Sequence, residues 1–377
     1  MPAEAKKHIL GVALLFASNG IMLAGLLPWY PSFKNQWDLS GTTFGLVVAC
    51  VAAGSIASGG VPVAIIRRIG PKNAVLVGTV FMSALLLSAV FAPSPLTFAI
   101  VLGSLGFVDP IVDVAQNMVA VRVQESHRKS WMSSWHACWS LGATGSGALG
   151  TWAVGHLPIG AHLCITATAS LLCAIVGCSL IGPWRAASTS EQTRAAKGNW
   201  WLVLPLVLVA VSGIMVEEVA NSWAALAARE IGQMPIEQAG LAFTVMLAAQ
   251  CLGRFAGDPM INRWGRVTVA RLGGLSIAIG GLCVVLSQEP TALLVGLALA
   301  GFGCATIVPS AFVAAAKIPG MSEGAGITLV SWLMRIGFLG TSPFIGLISD
   351  LAGLRAGLGI LLVGGVVIVA LSNRLRS

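Results

Sequence analysis

The chain reads as an all-α membrane protein of twelve transmembrane helices in two six-helix repeats, and three observations predict this. Of its 377 residues, 56% are hydrophobic and only 10% charged, whereas soluble domains carry roughly a quarter charged residues. Apolar runs of the roughly 20 residues needed to cross the hydrocarbon recur about a dozen times. Short motifs of the first half also return in the second half at nearly the same spacing.

Hydrophobic runs place the spans at 8–30, 41–66, 74–92, 96–121, 130–156, 161–183, 200–228, 237–261, 268–287, 292–316, 325–349 and 355–373. The first is too long for a signal peptide and lacks a small-residue cleavage site, so it reads as an anchored helix. Trp29, Trp37, Trp184, Trp200 and Trp201 fall near span ends, as interfacial tryptophans do. The fifth span carries Gly142, Gly145, Gly147 and Gly150, and the eleventh Gly337, Gly340, Pro343 and Gly346. Such faces let helices approach closely. All 8 cysteines lie inside spans, without metal-ligand spacing or a loop framework.

The net charge of +8 is explained by topology, and no nucleic-acid partner is expected. Lys6, Lys7, Arg67, Arg68, Lys72, Arg122, Arg128, Lys129, Arg185, Arg194, Lys197, Arg263, Arg266, Arg271, Lys317, Arg374 and Arg376 lie on the side of both termini, against Lys34, Arg229 and Arg355 opposite. The positive-inside rule then puts both termini in the cytoplasm, in an inner (plasma) membrane. Residues 1–183 and 200–377 read as two six-helix bundles joined by a polar cytoplasmic linker, 184–199. Arg68-Ile69-Gly70 after the second span is matched by Arg263-Trp264-Gly265 after the eighth, and Ser134-Trp135 by Ser331-Trp332. That repetition indicates a duplicated unit, and transporters so built bind substrate near mid-membrane between their halves.

On these features the chain resembles the major facilitator superfamily, over nearly its whole length. Asp113-Val-Ala-Gln-Asn117, His136-Ala-Cys-Trp139-Ser140-Leu-Gly142, Glu217 through Asn221-Ser-Trp223, Gly253-Arg254 with Gly257-Asp258, and Pro309 make it similar to the fucose-permease-like branch and its relatives. The resemblance implies alternating access around a cavity lined by spans one, four, seven and ten. It also matches Glu217 to the branch's acid. The chain departs from the pattern at Val63 and Arg67, where the superfamily has Gly and Asp, and at Asn221 and Arg335, where the branch has an acid and an aromatic. The second copy instead carries Asp258 and Asn262, which points to a cytoplasmic gate held by the C-terminal copy.

Intramembrane carboxylates are costly and mark ion, proton or substrate sites. Asp109, Asp113 and Asn117 repeat every four residues, so they share one face of the fourth span. His136 lies at a similar depth in the fifth span, and a carboxylate beside an imidazole can exchange a proton. Asp113, His136, Glu217 and Asp109 are therefore the expected proton-coupling residues. Glu217 and Glu218 point about 100° apart on a helix, so both cannot face one cavity squarely. Expected substrate contacts are Asn117, Trp135, Trp139, Glu217, Asn221, Trp223, Trp332 and Arg335. Arg335 reads equally as an anion ligand or as an ion-pair latch. Arg68, Arg254, Asp258 and Arg263 form the expected gating set.

No Gly-x-x-x-x-Gly-Lys-Ser/Thr loop is present, so ATP hydrolysis is not the expected energy source. The expectation is a secondary transporter rather than an enzyme, coupled to H+ and working as a monomer in the lipid bilayer, with neither metal nor cofactor. It exports a small to medium, partly apolar organic or peptide-like compound. Proton-linked uptake of a sugar or similar polar nutrient is the alternative, and a non-transporting membrane sensor is the reading from another class.

Overall fold

A computed structural model describes residues 3–127, 131–182, 200–315, 318 and 323–376. Nearly all of these are helical, with no strand among the described residues. The long helices are α1 (Ala3–Ala24), α2 (Gly41–Ser58), α3 (Pro71–Ser88), α4 (Pro95–His127), α5 (Met132–His156) and α6 (Ile159–Ile181). After them come α7 (Trp200–Glu218), α8 (Ile236–Trp264), α9 (Arg266–Leu286), α10 (Pro290–Cys304), α11 (Glu323–Ala352) and α12 (Ile360–Leu371). Among the described residues, 11 helical stretches are long and apolar enough to cross a membrane. The twelfth is α5, 25 residues long and thus about 37 Å, whose glycines, serines and histidines dilute its hydropathy.

Several expected spans are interrupted. The second stops at Ser58 and resumes as a short helix, Val61–Ile69, because Gly59 turns the chain at φ +42°. The tenth breaks after Cys304 and resumes at Ile307–Ala315. The seventh changes to a π-helical turn, Val219–Trp223, before Ala224–Glu230. By contrast, α4 runs unbroken through Pro110 for 33 residues, because membrane helices tolerate an internal proline.

The chain divides into two compact units. One comprises Met1–Asp38, Cys50–Ala187 and Ile236–Thr244, and the other Leu39–Ala49, Ser188–Pro235 and Val245–Ser377. The first turns of α2 and of α8 are thus grouped with the other half of the sequence. The expected linker, 184–199, lies outside the described residues.

In the first unit, α1 packs on α5 and α6, and α3 on α4 and α6. Lipid supplies no hydrophobic drive between helices, so close packing and hydrogen bonds hold them. A Cβ on Gly20 would lie 2.1 Å from the Trp139 carbonyl oxygen, and one on Gly54 1.9 Å from that of Gly103. Only glycine permits these α1–α5 and α2–α4 crossings. Ser18 and Ser170, both buried, exchange hydroxyl-to-carbonyl bonds of 2.9 Å between α1 and α6. His162 takes the Trp29 indole N–H on Nδ1 at 3.0 Å, which leaves Nε2 to the Thr166 hydroxyl at 3.4 Å.

In the second unit, α9 lies against α10 and α12, while α7 packs on α11 and α12. Gly280 and Gly296 meet reciprocally between α9 and α10, and Gly365 meets α9 at Ala278. Asp350, near the end of α11, accepts from the Gly41 amide at 2.6 Å and the Thr42 amide at 2.8 Å. Its carboxylate thereby caps the α2 N-terminus, where the helix dipole favours negative charge. Asp350→Asn should cost about 0.5–1 kcal/mol, the range of a weakened cap, read as a lower thermal midpoint in detergent.

The two Arg-x-Gly turns are conformational copies. Gly70 has φ 80°, ψ 156° and Gly265 has φ 79°, ψ 153°, and each ends one helix and opens the next. Side chains other than glycine scarcely reach this region, at a cost of about 1–3 kcal/mol. Gly70→Ala and Gly265→Ala should therefore destabilise by similar amounts, although Ile69 and Pro71 of the first turn are Trp264 and Arg266 in the second. Unequal losses would show that the turns are not equivalent.

Candidate functional site

The membrane-embedded polar residues gather in two clusters, one in each unit. In the first, α4 presents Asp109, Asp113 and Asn117 along one face, each about 6 Å of rise from the next. Asn19, buried in the last turns of α1, donates its amide to Asp109 Oδ1 at 2.9 Å and accepts the Trp139 indole N–H at 2.7 Å. It thus ties α1, α4 and α5 together. Asn117 donates to Asp113 Oδ1 at 3.0 Å and Gln116 donates to the same oxygen at 3.3 Å. Gln116 is fully buried, and its Oε1 has no partner among the described residues. His136 stands edge-on to Phe16 with ring centroids 5.0 Å apart. The Ser140 hydroxyl donates to the His136 carbonyl at 3.3 Å, closing the turn of α5 between them.

In the second cluster, Glu217 and Glu218 diverge as their helical spacing requires. Glu217 Oε1 accepts from Gln250 at 2.7 Å and from the Arg254 guanidinium at 3.2 Å, both on α8. The pair is partly exposed, at 22% for Arg254 and 26% for Glu217. Gln250 also reaches Cys304 Sγ at 3.4 Å, which links α8 to α10. Glu218 turns the other way, towards α11. It is 4% exposed, and its Oε1 accepts the hydroxyls of Ser222, at 2.7 Å, and Ser342. The Trp223 indole donates to Ser342 Oγ at 2.9 Å. That occupies the serine's acceptor side and points its proton at Glu218. Phe44 meets Trp223 edge-on at 5.5 Å.

The expected residues are distributed unevenly over these clusters. Trp139, Asn117 and Asn221 are half-buried, as are Glu217 and Arg335. Trp135 and Trp223, expected at the substrate, are instead enclosed within their own units; Trp135 gives its indole N–H to the Ile9 carbonyl at 3.1 Å. Trp332, the repeat mate of Trp135, is exposed on α11. Of the gating set, Arg254 reaches Glu217 at 3.2 Å, and Asp258 is exposed near the end of α8. A long guanidinium prefers a carboxylate in low dielectric to one at an exposed helix end. Arg68 is exposed at the end of its short helix, Val61–Ile69.

Sequence reasoning missed Asn19, Gln250 and Ser342. The lone amides inside apolar spans were detectable by the same cost argument that flags carboxylates. Ser342 gave no signal, because serine is common in membrane helices.

Among the described residues, 11 apolar helical stretches and α5 carry embedded, mutually bonded carboxylates, amides and indoles, the build of a polytopic membrane protein. The family model of the Major Facilitator Superfamily matches residues 12–231 and 206–375. A Sinorhizobium fredii protein described as an uncharacterised transporter is 28% identical over 353 residues, with 92% of each chain covered. A Yersinia pestis protein described as an uncharacterised MFS-type transporter is 26% identical over 351 residues, covering 92% of this chain and 90% of its own. Among solved structures, a bacterial homologue of the human lysosomal transporter Spinster, inward-facing and occupied, superposes with a TM-score of 0.75 at 14% identity, covering 100% of this chain and 97% of that one. The chain belongs to the major facilitator superfamily, whose fold works by alternating access.

Proposed function

We propose that this transporter couples movement of a small to medium, partly apolar organic or peptide-like compound to protons, and that it runs as an exporter by proton exchange. The observation that carries the reading is the pair of embedded clusters. Carboxylates are retained inside membrane helices mainly where protons, ions or substrates bind, and here Asp109 and Asp113 are held by amide donors while Glu217 is held by a guanidinium. A proton arriving at Asp113, with His136 as its exchange partner, changes how that cluster bonds. The same event at Glu217 competes with Arg254. Asn117, Trp139, Asn221 and Arg335 are the half-buried groups best suited to cargo, and Trp332 offers an exposed aromatic face. Asp258, Arg263 and Arg68 fit a gate that forms in another conformation. The charge bias of the loops supports termini in the cytoplasm of a plasma membrane.

A second reading, uptake of a polar nutrient with the proton, draws support from the amides Asn19, Gln116, Asn117 and Gln250 beside these acids. The two part in one experiment. Purified protein in liposomes is screened with dyes, short peptides and sugars under a pH gradient imposed in either direction. Export by exchange predicts accumulation of a dye or peptide against the proton flow; accumulation of a sugar with the proton flow would replace it with uptake.

A further inference from the structure

We infer that Glu218, and not only the acids assigned above, is a proton-binding group of this transporter, held in a hydroxyl-lined pocket of the second unit. The inference rests on the proton-coupled reading and adds to it an acid outside the expected proton-coupling set. Two adjacent carboxylates have received opposite surroundings. Glu217 meets a cation, so its charge is compensated where it stands. Glu218 is almost completely enclosed, and its bonds among the described residues come only from neutral hydroxyls. A carboxylate taken out of water without a cation pays a large desolvation cost, which binding a proton removes.

Among the described residues, the hydrogen bonds to Glu218 come from hydroxyls and none from a cation. On α8, Arg254 is engaged by Glu217, the residue next to Glu218. On α11, Arg335 lies two turns before Ser342, roughly 10 Å of rise away. Cys304 ends α10 and takes the Gln250 amide, while α12 and the helix Ile307–Ala315 carry no ionisable residue.

The wiring is directional. Trp223 donates to Ser342, so Ser342 donates to Glu218 Oε1, and Ser222 donates to the same oxygen. Both hydroxyls converge on the oxygen that remains an acceptor when Glu218 is protonated, which leaves Oε2 to hold the proton. The two residues from the same helix, Ser222 and Trp223, lie in the π-helical turn Val219–Trp223, which begins directly after Glu218. Such turns break helical regularity and frequently sit at functional sites. A change in that turn moves two members of the pocket together, and this joins proton occupancy to helix geometry in α7.

The test needs no cargo. Infrared difference spectra of the purified protein between alkaline and acid buffer show the C=O stretch of carboxyls that bind protons. Glu218→Gln should delete one component of that band, and Glu217→Gln should leave that component in place. Ser342→Ala, which keeps the acid but removes a donor, should move the component to higher wavenumber. It also guards against misfolding of the Gln variant. A band unchanged by both Glu218→Gln and Ser342→Ala would overturn the inference. If Glu218 titrates but no compound moves under a pH gradient, the coupled-transport reading fails and the proton site stands. If transport is proton-driven but Glu218 contributes no band, only this inference fails.

Discussion

Arg254→Gln is expected to destabilise the second unit by about 2 kcal/mol and to abolish transport. Removing one member of a buried ion pair costs about 3–5 kcal/mol because its partner is left charged and unpaired, and the partial exposure of this pair reduces that figure. Glu217 would keep only the Gln250 amide, too weak a compensation for a carboxylate between α7 and α8. Adding Glu217→Gln should restore most of the lost stability without restoring transport. Thermal unfolding of the two single variants and the double variant measures this as a coupling energy. Additive losses would mean that the two side chains act independently despite their 3.2 Å contact.

The second large effect is expected at Asp113. Asp113→Asn keeps an acceptor oxygen for Asn117 and Gln116, so the fold should survive with little change in thermal midpoint. The variant cannot bind and release a proton there. Accumulation driven by a pH gradient should collapse to the leak rate, while exchange of cargo at equal pH on both sides continues. Loss of both activities would point to cargo binding rather than coupling, and retention of both would remove Asp113 from the proton path.

Much of this arrangement was legible in the sequence, for identifiable reasons. Span existence followed from hydrophobic length alone, and the duplicated Arg-x-Gly turns proved to be matched in backbone angle. The i, i+4, i+8 spacing placed Asp109, Asp113 and Asn117 together on one face of α4. Other features depend on partners remote in sequence. That Asn19 bridges Asp109 and Trp139 is set by how α1, α4 and α5 pack. Arg254 was read locally, beside Asp258, but its side chain answers to Glu217, 37 positions away. The break after α10 left no hydropathy signal, because the residues on both sides of it are about equally apolar. Adjacent Glu217 and Glu218 could be told to diverge, but only the positions of α8 and α11 show which meets arginine and which meets serine.

Substrate-driven proton movement shows whether cargo and protons share one cycle. Liposomes holding the purified transporter and a trapped pH-sensitive dye are given a gradient of an identified cargo with no initial pH difference. Cargo leaving down its gradient is expected to pull protons the opposite way, at a rate lost in Asp113→Asn. Cargo flux at full rate with no change in internal pH would contradict that.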